Sequence, residues 1–481
     1  MVFSSLLFVF AFLAIQMIVY SLMPGTKAKN ISLLVFSLIF YAWGGPRYLL
    51  LLLSEAFVSF YTARQIQRSE FRTMKKRWLV LECVVLLLLL FIFKYTTFFL
   101  TNLNLLTGFP AAVPQIVLPI GISFYTFQLI SYVADVYRGE VEAQEKYWKV
   151  LLYCSLFHQC IAGPIVRYQT VAEEIDHRSV DAEDLAYGVR RFAVGLAKKA
   201  ILANGCAALF DTLVPELTLT AVSGVSTAGM WLALLAYTLQ IYLDFSAYSD
   251  MAIGMGRMVG FHYLENFDYP YIAATVQQFW RRWHISLSTF FRDYVYIPLG
   301  GNRKGLPRTL LNMAVVWVLT GIWHGASWNY LLWGVYYLVF LVLERLFLAK
   351  ILEKNTATKV VGHIYTLFVV MLGWALFKFT DFSVLGEVFR ALFGVGHNLY
   401  AITVSSVFMN YVFFLALAVI AVFPLGRWIR DTLTSFAQRE HYRGLLTVIR
   451  ILDLVTPAAL LVLSLLALIG DSYNPFLYFQ F

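Results

Sequence analysis

Residues 79–93 read LVLECVVLLLLLFIF, a run near bilayer-crossing length with none of the every-second-residue alternation of a half-buried strand. Comparable runs recur at Leu6–Leu22, Met230–Leu243, Thr309–Leu319, Tyr330–Leu343 and Ile451–Ile469. Across 481 residues, 60% are hydrophobic and 14% charged, with a mean hydropathy of +0.71. Soluble domains carry roughly 25% charged residues, so a conventional aqueous globule is excluded. The expected fold class is all-α, a polytopic integral membrane protein of roughly 12 transmembrane helices. The first run has no basic leader and no small-residue cleavage site, so it reads as a retained helix rather than a signal peptide.

The formal charge of +9, from 37 Lys+Arg against 28 Asp+Glu, is clustered. Lys27 and Lys29, and then stretches 64–77, 167–199, 257–308, 350–359 and 427–450, hold the basic clusters, which in a membrane protein belong on the cytoplasmic side. Stretches 101–115 and 217–228 carry no Lys, Arg, Asp or Glu and read as outside loops, which places both termini outside. The expected setting is the cell (inner, cytoplasmic) membrane, crossed many times, with lipid as a partner and no nucleic acid. Cys83, Cys154, Cys160 and Cys206 have no paired ligand spacing; they read as small buried hydrophobes, and no metal is expected.

Two regions do not read as simple crossings. Tyr147–Val166 holds Gly163-Pro164 between charged flanks, and Gln277–Gly301 mixes arginines with aromatics. Both fit re-entrant or interfacial pieces, tolerated at depth only where protein or a water-filled cavity surrounds them. They suggest a funnel or tunnel. No internal repeat is visible, so residues 1–481 read as a single membrane domain, with residues 472–481 as an extracytoplasmic aromatic tail.

On a helix from Gln277 to Tyr296, Arg281, His284, Ser288 and Arg292 share one face, while Trp283, Leu287, Phe290 and Tyr294 form a neighbouring apolar stripe. The same pattern fits a basic interfacial helix whose arginines meet lipid headgroups. Beyond it, Pro298, Gly300 and Gly301 lead into Asn302-Arg303-Lys304, a turn suited to phosphate. His324 stands between Gly321 and Gly325, near Trp323, Trp328 and Trp333, in a run without charge from Arg308 to Glu344. A neutral imidazole there can take a proton from a hydroxyl, since desolvation disfavours its cation. The other reading of His324 is a belt histidine at a helix end. His158, His177, His262, His363, His397 and His441 read as structural or surface residues.

Taken together, Leu118–Phe127 (LPIGISFYTF), Ile161–Arg167 (IAGPIVR), Tyr242–Ala252 (YLDFSAYSDMA), Trp280–Gly301 and Gly321–Trp328 give the chain its likeness. It resembles the membrane-bound O-acyltransferases, and within them the branch of alginate-type O-acetyltransferase membrane subunits. The resemblance implies a helical funnel, with His324 as the catalytic histidine and His284 as the second signature histidine. It also implies acetyl-CoA as cytoplasmic acyl donor, with no permanently bound cofactor, and a cell-surface polysaccharide, alginate-like or peptidoglycan, as final acceptor. Phe157-His158-Gln159-Cys160 departs from the family pattern, which has a proline before the glutamine.

On that basis Arg303 and Lys304, with Arg281 or Arg282, are the expected contacts of the donor's phosphates, and His324 the general base. The resemblance further implies that Tyr478 in the tail is a transient acetyl carrier; an interfacial anchor is its other reading. A separate extracytoplasmic acetyltransferase of the SGNH-hydrolase type is the implied partner. Two rivals remain at this level: a D-alanyl transferase of teichoic acid modification, and a transporter or flippase, which predicts inverted repeats that the sequence does not show.

Overall fold

The computed structural model describes residues 1–108, 112–161, 163–440, 442–470 and Phe476. The first part of the chain forms α1 (Leu7–Leu22), α2 (Gly25–Trp43), α3 (Pro46–Arg68), α4 (Arg72–Thr107), α5 (Ile122–Arg138), α6 (Tyr147–Ser155) and α7 (Tyr168–Asp176). There follow α8 (Ala182–Leu213), α9 (Thr227–Met258), α10 (Val276–Arg282), α11 (Ile285–Phe291), α12 (Gly305–His324), α13 (Trp328–Leu352) and α14 (Thr356–Lys378). The last four are α15 (Phe382–Leu392), α16 (Ile402–Ala421), α17 (Leu425–Arg439) and α18 (Arg443–Gly470). No strand occurs among the described residues.

Nine of these, among the described residues, are long and apolar enough to cross a membrane: α3, α4, α8, α9, α12, α13, α14, α16 and α18. About twelve were expected. The difference lies in helices such as α1, which is apolar but short, and α5, whose 17 residues include the buried polar side chains Gln128 and Asp135. At about 1.5 Å per residue, the 36 residues of α4 run roughly 54 Å, longer than a bilayer's polar-to-polar width of about 40–45 Å. Its first turns, Arg72 to Arg77, therefore reach past the apolar slab.

Contacts group the chain into two compact units. The first is 1–192, 251–265 and 286–301; the second is 193–250, 266–285 and 302–481. Within the first, Ile122 to Val136 of α5 are all buried, the polar Ser123, Thr126, Gln128, Ser131 and Asp135 included. Arg167 pairs with Asp293 at 2.5 Å, and Tyr294 donates to Asp135 at 2.6 Å, so the Ile161–Arg167 landmark has a structural partner. His158, at the departure from the family pattern, is buried with Nδ1 3.2 Å from Tyr263 Oη.

The single helix expected over Gln277–Tyr296 is corrected. It breaks between α10 and α11, where Trp283 is extended (φ −102°, ψ 128°) and His284 takes φ 44°. The break ends the helical phase, so Arg281 and His284 do not share a helix face with Ser288 and Arg292.

Candidate functional site

His284 and His324 both lie in the second unit, together with α12, α13 and α14. Helix α10 is fixed first. Thr275 caps it by accepting from Gln278 N, and Glu344 of α13 accepts from Val276 N at 2.6 Å and Gln277 N at 2.9 Å. First-turn amides have no partner inside a helix, so a carboxylate there satisfies two of them at once.

At its other end the chain turns sharply to deliver His284. A non-glycine residue at positive φ costs about 1–2 kcal/mol and persists only where its surroundings hold it. Those surroundings are residues 266–268. Asn266 O accepts from Ile285 N at 2.9 Å, Arg282 O accepts from Asp268 N at 2.9 Å, and the Arg282 guanidinium reaches Asp268 at 2.7 Å. Asn266 Oδ1 faces His284 Nδ1 at 3.2 Å while Asn266 Nδ2 donates to Ser249 Oγ at 3.1 Å. The amide's nitrogen is thus spent on Ser249, and its oxygen accepts the Nδ1 proton. His284 is then the tautomer with a lone pair on Nε2. Its ring lies edge-on to Phe245 at 4.8 Å, and burial pulls its pKa down to about 3, so it is neutral.

His324 ends α12 and is 9% exposed. Its ring stands edge-on to Trp333 at 4.8 Å and to Phe377 at 5.2 Å, packed among protein rings. Asn329 holds the second of these in place, its Nδ2 donating to Leu376 O and Phe377 O at 3.1 and 3.3 Å. The two histidines meet through one side chain: Trp323 lies 5.8 Å from His284 and 4.9 Å from His324, ring centre to ring centre.

Close helix approach makes this possible. A Cβ on Gly321 would sit 2.5 Å from Tyr330 O, and one on Gly334 2.5 Å from Trp317 O, so α12 and α13 touch backbone to backbone.

Of the expected phosphate contacts, Arg281 is exposed in the last turn of α10 and Arg282 is half-buried against Asp268, both within three residues of His284. Arg303 and Lys304 are exposed just ahead of α12, whose 20 residues span roughly 30 Å, so they stand a whole helix away from His324. Tyr478 and His441 lie outside the described residues. His262 pairs with Glu174, and His397 sits between Val225 O and Glu387, as structural readings have it.

Two elements escaped sequence reasoning. Asn266 gives no spacing signal at all. The pairs Lys199–Asp244 and Lys198–Asp250, each 2.6 Å, do: they are ionisable residues inside apolar spans, which mark functional positions by default.

Residues 145–377, which include His284, His324 and the residues placed around them, match the family model of the membrane-bound O-acyltransferases. The chain is 36% identical, over the whole of both chains, to a protein of Azotobacter vinelandii named "Probable alginate O-acetylase AlgI". It is 32% identical to the peptidoglycan O-acetyltransferase of Helicobacter pylori, with 82% of this chain and 80% of that one covered. A more distant likeness, 26% identical over 54% of this chain and 68% of the other, is to the teichoic acid D-alanyltransferase of Bacillus subtilis. A multi-pass helical chain with that full-length likeness belongs to the membrane-bound O-acyltransferase family.

Proposed function

We propose that this O-acyltransferase takes an acetyl group from cytoplasmic acetyl-CoA and passes it across the inner membrane for O-acetylation of a cell-surface polysaccharide, either an alginate-like polymer or peptidoglycan. The observation that carries the chemistry is the pairing of His284 and His324 through Trp323 in one buried aromatic site. The acceptor class follows relatives named as a probable alginate O-acetylase and a peptidoglycan O-acetyltransferase.

His324 is the general base. A hydroxyl oxygen attacks the acetyl carbonyl carbon as the imidazole takes its proton; the C–O bond forms, the C–S bond breaks, and the leaving thiolate recovers the proton as free CoA. His284, neutral with its Nε2 lone pair, orients the reacting groups. Arg281 and Arg282, beside His284, suit the donor's phosphates during transfer, whereas Arg303 and Lys304, about one helix length away, suit its first contact. Tyr478 is the first acceptor. A phenol, with a pKa near 10, is a far better leaving group than a sugar hydroxyl, so transfer onward is downhill. A separate extracytoplasmic SGNH-type transferase completes the delivery.

Purified full-length protein given acetyl-CoA labelled in its acetyl group releases free CoA and acquires label, and His324→Ala does neither while remaining folded. Full transfer by His324→Ala ends the assignment. Label taken instead from a D-alanyl carrier protein, with none from acetyl-CoA, would favour the D-alanyl reading.

A further inference from the structure

Asp244 and Tyr248, in the landmark Tyr242–Ala252, are both buried. They are four residues apart on α9 and so share a face. Opposite them, α8 opens into a π-helical turn at Lys198–Ala203. That turn brings Lys199 Nζ to 2.6 Å from Asp244 Oδ1, with both side chains 2% exposed, while its neighbour Lys198 pairs with Asp250. The two groups are held against each other away from water.

Phe476 packs against that pair. Phe476, 1% exposed, lies with its ring 4.7 Å from Lys199 Nζ and edge-on to Tyr248 at 5.1 Å and 82°. A desolvated ammonium over an aromatic face is attracted by the ring quadrupole, and an aliphatic side chain of equal bulk offers no such attraction. The edge-on tyrosine adds a second contact that requires a ring.

We propose that Lys199, Asp244 and Tyr248 form a docking socket for the C-terminal tail, with Phe476 as its occupant. The socket selects an aromatic ring by charge rather than by apolarity alone. It also positions the tail for acyl transfer, and this part rests on the reading of Tyr478 as acetyl carrier: two residues of chain reach at most about 7 Å, so a ring held at 476 tethers a phenol at 478.

The test uses the full-length protein in detergent and reads amide hydrogen exchange of the C-terminal peptide, with acetyl transfer from labelled acetyl-CoA as a second readout. Phe476→Leu keeps an apolar side chain, of smaller volume, and loses the ring; it is expected to speed exchange of that peptide roughly tenfold. Phe476→Trp, which keeps the ring, exchanges as the parent does, and so does Tyr478→Phe. Unchanged exchange in Phe476→Leu, or equal acceleration in Phe476→Trp, overturns the socket. Faster exchange in Phe476→Leu together with full transfer by Tyr478→Phe upholds the socket and removes the carrier; loss of transfer in both upholds the two together.

Discussion

Asn266 Oδ1 stands 3.2 Å from His284 Nδ1, and the same side chain gives its nitrogen to Ser249 Oγ. One amide therefore fixes which nitrogen of His284 carries the proton. Asn266→Ala removes the acceptor without touching either histidine, and kcat is expected to fall roughly tenfold or more, about 1.4 kcal/mol of barrier, with little change in KM. Asn266→Asp sharpens the test. A carboxylate at 266 favours the imidazolium, so activity in this variant falls as pH drops through the neutral range, where the parent shows no such loss from His284. A pH–rate profile of Asn266→Asp identical to the parent's would reject the positioning role.

The burial that keeps His284 neutral also sets a stability dependence. Its pKa is about 3 in the folded protein and about 6.5 once exposed, so between those values the unfolded chain binds the extra proton. Stability from this residue is complete above about pH 6.5 and is lost as pH falls toward 3. The size is on the order of a few kcal/mol. Thermal unfolding in detergent is expected to shift downward between pH 7.5 and pH 5, and His284→Gln to shift less over the same interval.

The apolar runs and the two histidine segments could be read directly from the sequence, because the period and length of hydrophobic stretches report on burial by lipid and protein alike. Residues 79–93 do lie inside α4, and Tyr330–Leu343 inside α13. The region Gln277–Tyr296 was misread as one helix because its residues keep a 3.6-residue period through the break. What interrupts it is tertiary: Asn266, some twenty residues earlier, binds both Ile285 N and the His284 ring. Local periodicity carries no trace of such a partner. Lys199 reads from sequence as the end of the cytoplasmic basic stretch 167–199, whereas the structure buries it inside α8 against Asp244, a pairing that only the fold shows.

Gly321 tests whether the α12–α13 contact positions His324. Gly321→Ala puts a methyl 2.5 Å from a backbone oxygen that cannot rotate away, so the helices must part. A destabilisation of about 1–3 kcal/mol is expected, with a larger fractional loss of acetyl transfer because His324 lies three residues on in the same helix. Gly386→Ala in α15 meets nothing within 4 Å and serves as the control, expected to unfold and react as the parent does. Equal behaviour of the two variants would detach helix spacing from catalysis.

The Lys199–Asp244 pair separates a structural charge pair from a docking charge. Removing one partner leaves the other buried and uncompensated, typically a loss of about 3–5 kcal/mol, whereas replacing both by apolar residues of similar volume is often close to neutral. Lys199→Met is therefore expected to lower the unfolding temperature and yield far more than Lys199→Met combined with Asp244→Leu. The double variant should regain most of the stability and none of the tail protection, since the cation over Phe476 is gone. A double variant that is stable and still shields its C-terminal peptide would show that Phe476 is held by apolar packing alone, with Lys199 present only to neutralise Asp244.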